Sequence, residues 1–251
     1  YSPMEGHRCE GEEQCGMHIN CCNANGPRAF ALIPDFAVKK MGNEVYVNYY
    51  GDMSASLENG HNKVLVKQHT TYPVSNVIDI TIDVTKENVF GLHLRVPVWS
   101  AQTVITLNGE ELKDICPGTY HAITRKWKKG DHIQIILDMP ARLLEQNQMQ
   151  AIVRGPIVLA RDSRFNDGFV DETLVVDSED GIVKAEVDSV PGFAWMRLKV
   201  PVTVGTDLEG VGMYRNISFC DFASAGNTWD KQVRYRVWIP RTLDVKKGHL
   251  K

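Results

Sequence analysis

The stretch "NVIDITIDV" (Asn76–Val84) decides the fold. Its isoleucines and valine alternate with Asp79, Thr81 and Asp83. That period of two puts one face of a strand in a core and the other in water. Working outward, the same text recurs in "EVYVNYY" (Glu44–Tyr50), "KVLVKQHT" (Lys63–Thr70), "VFGLHLRV" (Val89–Val96), "TVITLNG" (Thr103–Gly109), "YHAITR" (Tyr120–Arg125) and "HIQIILDM" (His132–Met139). Turn signals separate the runs: Glu58-Asn59-Gly60, Asn108-Gly109, Pro117-Gly118 and Lys129-Gly130-Asp131. Asn108-Gly109 is the strongest, because both residues tolerate positive φ. Short strands at close spacing, most of them half-buried and antiparallel in pattern, predict a jelly-roll β-sandwich.

Downstream, "MPARLLEQNQ" (Met139–Gln148) reads as an interruption. Strand text then resumes in "QAIVRGPIVLA" (Gln150–Ala160), bent by Arg154-Gly155-Pro156, in "AWMRLKV" (Ala194–Val200) and in "VRYRVWIP" (Val233–Pro240). A second, smaller β-domain is expected, with its boundary near Leu143–Gln150. Arg154 is expected to pair across that boundary. Upstream, Pro27 to Met41 reads as one amphipathic helix. Asn25 or Gly26 would cap it, Pro27 suits its first turn, and Phe30, Ile33, Phe36, Ala37 and Met41 recur at helical spacing. Pro34 should bend it and Gly42 should end it.

With 251 residues, 43% of them hydrophobic and 24% charged, the chain can bury a substantial core. The formal net charge is −3. No basic block interleaves with aromatics, which argues against nucleic acid as a partner, and no apolar run is long enough for a membrane helix. The opening "YSPMEGHRCEGEEQC" lacks the cationic start and apolar segment of a signal peptide, and there is no initiator Met. A fragment of a longer protein, or a processed one, is expected.

The six cysteines are unevenly placed. Cys9, Cys15, Cys21 and Cys22 cluster, whereas Cys116 and Cys220 stand alone and read as small buried apolar residues. Adjacent cysteines rarely bond to each other, because the ring is strained. Within "HRCEGEEQCGMHINCC", thiols and imidazoles are zinc's preferred ligands, yet the spacing matches no standard zinc finger. A bound metal, a Cys9–Cys15 disulfide and free structural thiols are all compatible with these residues. If a metal holds one thiolate of the pair, its charge lowers the pKa of the other, as does a helix N-terminus. His18 reads either as support for such a site or as ordinary loop, Asn25 as a cap or a ligand-orienting group, and Arg28 as an ion-pair partner or a site residue. Trp99, Trp127, Trp195, Trp229 and Trp238 suit either sugar stacking or core packing. Asn216-Ile217-Ser218 matches a glycosylation sequon and is read as coincidence.

The pieces "CGMHINCCNANGPRA", "LHLRVPVWS", "ITLNGEEL", "WKKGDHIQIILDMPARLL", "AIVRGPIVLA" and "DFASAGNTWDKQVRYRVWIP" resemble, in order, the β-L-arabinofuranosidase-type glycoside hydrolases of family 127 and its relatives. The resemblance implies an N-terminal (α/α)6 barrel followed by β-sandwich domains. This chain would be the C-terminal part: the end of the barrel at 1–41, a jelly-roll sandwich at 42–146 and a second β-domain at 147–251. The fold class is then mainly β, two sandwiches behind a short helical remnant of the barrel. The resemblance makes Cys21 the nucleophile and Cys22 a zinc ligand, with Cys21 at the same ion. The remaining zinc ligands and the glutamate acid/base would precede Tyr1, and Cys9 and Cys15 do not align with them. It implies a glycoside or oligosaccharide substrate, the missing barrel as partner, and a bacterial periplasm or cytoplasm. Two other functions stay open on the residues alone: a non-catalytic carbohydrate-binding or structural β-module, and a structural zinc module.

Overall fold

The computed structural model describes residues 21–206, 212–228 and 230–241. They divide between Met139 and Pro140 into two compact units.

The first unit opens with helix α1 (Cys21–Ala37). Ten strands follow: β1 (Val38–Met41), β2 (Glu44–Val47), β3 (Met53–Asn59), β4 (Asn62–His69), β5 (Val77–Val84), β6 (Asn88–Arg95), β7 (Val104–Leu107), β8 (Glu110–Glu111), β9 (Tyr120–Trp127) and β10 (Asp131–Ile136). They form a four-stranded sheet in the order β1-β2-β6-β9 and a six-stranded sheet in the order β3-β4-β5-β10-β7-β8. The inner faces of both sheets supply one core. Val45, Val47, Leu92 and Leu94 come from one sheet, and Ile78, Ile80, Ile82, Ile133 and Ile135 from the other. Trp127 closes the core: it is fully buried, stacks on Phe90 with centroids 5.5 Å apart and donates its indole N–H to the Phe90 carbonyl at 3.0 Å. That bond removes the cost of burying the indole N–H. β5 alternates without a break, and Asn108 and Gly109 both take positive φ in the β7–β8 turn, as their text predicts.

Three local readings need correction. The helix starts at Cys21, so Asn25, Gly26 and Pro27 lie inside it and do not form its cap. It ends at Ala37, and residues 38–41 are strand β1. Val38 is buried in the sandwich and pairs with Val47, and this tertiary burial wins over the helical periodicity that ran on to Met41. Gly42 lies in the β1–β2 turn. Finally, β2 and β6 pair in parallel, because the chain visits the other sheet through β3, β4 and β5 before returning, a crossover that parallel neighbours require.

The second unit contains β11 (Ala141–Gln146), β12 (Met149–Arg154), β13 (Ile157–Asp162), β14 (Val175–Val176), β15 (Ser178–Glu179), β16 (Ile182–Val183), β17 (Glu186–Val190), β18 (Ala194–Thr206), β19 (Gly212–Asp221), β20 (Tyr235–Arg236) and β21 (Ile239–Pro240). The text read as an interruption is β11, and it turns into β12 through Asn147 and Gln148, both at positive φ. This is a two-residue hairpin turn with glutamine where glycine is usual. The strands join in one hydrogen-bonded network with the path β14-β18-β19-β13-β12-β11-β16-β15. β13 is its corner: residues 157 and 158 pair with β12, 159 and 160 with β19, and 161 and 162 with β20. Met196, Leu198, Val200 and Val202 of β18 and Ile217 and Phe219 of β19 are buried. The chain is thus mainly β, with sandwich units after a short helix.

Candidate functional site

Cys21 and Cys22 are the first two residues of α1. The unpaired N–H groups of a helix's first turn favour negative charge, and no carboxylate occupies that turn. Helical spacing puts residues 21, 25 and 28 on one face, so Asn25 and Arg28 share a side of the helix with Cys21. Both are exposed. His18, Cys9 and Cys15 lie outside the described residues. Among the described residues, no three His, Cys, Asp or Glu side chains come together as a metal cluster.

The far end of α1 is tied to the sandwich. The Phe36 carbonyl accepts from Asn48 Nδ2 at 2.7 Å, and the Ala37 carbonyl accepts from the Asn48 N–H at 2.9 Å. Tyr120 in turn donates its hydroxyl to Asn48 Oδ1 at 2.6 Å. Asn48 therefore satisfies two carbonyls that a helix end leaves unpaired. Along the rest of the helix, Phe30 is 73% exposed, and Leu32, Ile33 and Phe36 are about half exposed. The expected apolar stripe exists, but it does not face the sandwich core.

The other residues singled out from sequence separate into distinct environments. Cys220 is fully buried on β19, and burial pushes its thiol up to about 12, as suits an inert core residue. Cys116 corrects the expectation of burial: it is exposed in the β8–β9 connection. Arg154 donates Nη1 to Met196 Sδ at 3.5 Å, a contact within the second unit. Trp127 is core and Trp99 packs partly against it, whereas Trp195 is 72% exposed, on the same side of its alternating strand as Arg197 and Lys199. Trp229 lies outside the described residues.

An N-terminal helix, a two-sheet sandwich and a second β unit define the class: a multi-unit β-sandwich protein. Comparison with known proteins narrows it. Residues 44–139 match the family model described as "Beta-L-arabinofuranosidase, GH127 middle domain". That match ends at Met139, where the first unit ends. A GH127 β-L-arabinofuranosidase from Geobacillus stearothermophilus T6 superposes with a TM-score of 0.76 at 19% identity, over 93% of this chain and 39% of its own. A second structure, described as a GH127 β-arabinofuranosidase, gives 0.74 at 21% identity over 90% and 39%. A third, described as a glycoside hydrolase, gives 0.75 at 22% identity over 94% and 41%. The chain spans about two fifths of the length of these structures. No curated protein matches it significantly in sequence. The resemblance to family 127 thus holds in sequence across the first sandwich and in fold across most of the chain.

Proposed function

We propose that this chain is the C-terminal part of a retaining glycoside hydrolase acting on β-L-arabinofuranosides, with Cys21 as nucleophile. The observation that carries the reading is the Cys21–Cys22 pair at the start of a helix that leads directly into a GH127 middle domain. The exposed Phe30, Leu32, Ile33 and Phe36 support it further. A helix apolar on several sides is normally enclosed, and the N-terminal barrel implied by the resemblance would enclose it.

In the first half-reaction the Cys21 thiolate attacks the anomeric carbon. The glycosidic C–O bond breaks, and a general acid, expected upstream of residue 1, protonates the departing oxygen. In the second, water loses a proton to that same group and displaces the sulfur, so the anomeric configuration is retained. Sulfur fits this role because a helix N-terminus lowers its pKa. The paired thiols also fit zinc by their softness. Cys22 would hold the ion with Cys21 beside it, and the zinc would stabilise thiolate over thiol. The described residues contribute no other ligand cluster, so further ligands would come from the barrel. Asn25 and Arg28, at helical spacing from residue 21, would orient a sugar hydroxyl.

The test is Cys21→Ser in the full-length enzyme with an aryl β-L-arabinofuranoside. Activity should fall at least about a thousandfold with little change in folding. Retention of wild-type turnover would overturn the reading in favour of a non-catalytic β-module.

A further inference from the structure

The second unit contains a hollow that the proposed catalysis does not use. It has a volume of about 590 Å³ and lies between the β17–β18 turn and the turn after β19. Such a volume is ordinary for a small-molecule site. We propose that this hollow binds a neutral sugar ring, with Trp195 as the stacking platform.

Both walls are rigid. In the first, Phe193 N–H donates to the Val190 carbonyl at 3.0 Å across Pro191 and Gly192, and Gly192 has φ +75°. Proline followed by a residue at positive φ is the pattern of a type II turn, and glycine takes that φ without strain. Phe193 is then held from two sides: the Arg164 guanidinium lies 4.2 Å from its ring centroid, and Phe165 meets it edge-on at 4.7 Å. The same Arg164 reaches the opposite wall, donating to the Ser224 carbonyl at 2.8 Å and the Asn227 carbonyl at 3.5 Å. It is itself fixed by Asp162, at 2.6 Å. One buttressed arginine therefore joins the two turns, which limits the ordering a ligand must induce.

The lining selects the ligand class. Trp195 leaves 72% of its surface exposed beside the hollow, although it sits on the longest strand of the unit. The C–H face of a sugar packs on such a ring, while its hydroxyls need donors and acceptors at the edge. Ser189, Ser224 and Asn227 supply them. Ser224 Oγ accepts from the Trp195 backbone N–H at 3.3 Å, so its own proton is left to donate. The carboxylate in the lining, Asp221, is engaged by the N–H groups of Ser224 at 2.9 Å and Met196 at 3.1 Å. Among the described residues, no Lys, Arg or His lines the hollow. A neutral hydroxylated ring suits this lining better than an anion or a cation.

The experiment titrates the 251-residue chain with L-arabinose, an arabinan oligosaccharide and a xylan oligosaccharide, read by saturation-transfer NMR and tryptophan fluorescence. We expect at least one to bind with a Kd of about 1 mM or tighter. Trp195→Ala should weaken that binding at least about tenfold, and Asn227→Ala severalfold, while Trp238→Ala leaves it unchanged. Trp195 and Asn227 are both exposed, so the variants should fold, and circular dichroism checks this. Absence of binding by every sugar, or wild-type affinity in Trp195→Ala, overturns the proposal. So does a dimer in sedimentation that Trp195→Ala dissolves without any sugar effect, which would make the surface a self-association face. Turnover enters none of these readouts, so failure here and failure of the Cys21 reading are separate events.

Discussion

Helix α1 and the sandwich it enters are built on opposite terms. In the sandwich, two sheets supply each other's apolar faces, and even the indole N–H of Trp127 has a partner. In the helix, Phe30, Leu32, Ile33 and Phe36 face outward, and the attachment rests on Ala37 and the Asn48 hydrogen bonds. The sandwich encloses its own core. The helix begins with the cysteine pair and presents apolar residues to solvent. If Cys21 acts as proposed, stability and chemistry reside in different parts of the chain, and substitutions should separate them.

The sharpest separation is Cys21→Ser, described above: a loss of at least about a thousandfold in the full-length enzyme's turnover, with an unfolding midpoint close to wild type. A large change in stability would break the contrast. The converse variant is Trp127→Ala. It deletes the largest buried side chain of the sandwich and leaves Phe90 without its stacking partner, so urea unfolding of the first unit should shift by about 3–5 kcal/mol.

A third test lies in the second unit. Burial works to raise the Asp162 pKa, but Arg164 and the N–H groups of Gly226 and Arg164 outweigh it, and the net shift is downward. A carboxylate with a lowered folded-state pKa adds stability that is complete above its ordinary value of 3.8 and is lost as pH falls through the lower one. Unfolding of this unit should therefore become easier below about pH 4, and Asp162→Asn should flatten that dependence. At neutral pH the same change should cost about 2–3 kcal/mol, the lower side of a broken buried pair, because Arg164 keeps some solvent contact and two carbonyl partners. The smallest effect is expected for Asn48→Ala. Freeing the Phe36 carbonyl should cost about 1 kcal/mol and appear as faster amide exchange in the last turn of α1. Unchanged exchange would show that the Val38 pairing and the backbone bonds to the Ala37 carbonyl anchor the helix without the Asn48 side chain.

Most of the first sandwich was legible because one signal governs it. A strand half in core and half in water must alternate, and Ile78, Ile80 and Ile82 do so whatever their neighbours. Asn108-Gly109 was equally clear, since its residues accept positive φ cheaply, whereas Asn147-Gln148 makes the same kind of turn with a residue that gives no such warning. The Cys-Cys pair was visible as chemistry, but its place on the helix was not. Proline at 27 suggested a first turn there, yet the helix begins six residues earlier and carries both Pro27 and Pro34 inside it.

Local chemistry was enough to specify alternation, most turns and the grouping of thiols, because each depends on the preferences of a few adjacent residues. Partners distant along the chain settled the rest. Val47 drew Val38 out of the helix, the excursion through β3 to β5 made β2 and β6 parallel, and β13 passed its pairing from one neighbour to the next. Strand pairing depends on what the remainder of the chain brings alongside, and alternation along a single strand cannot encode it.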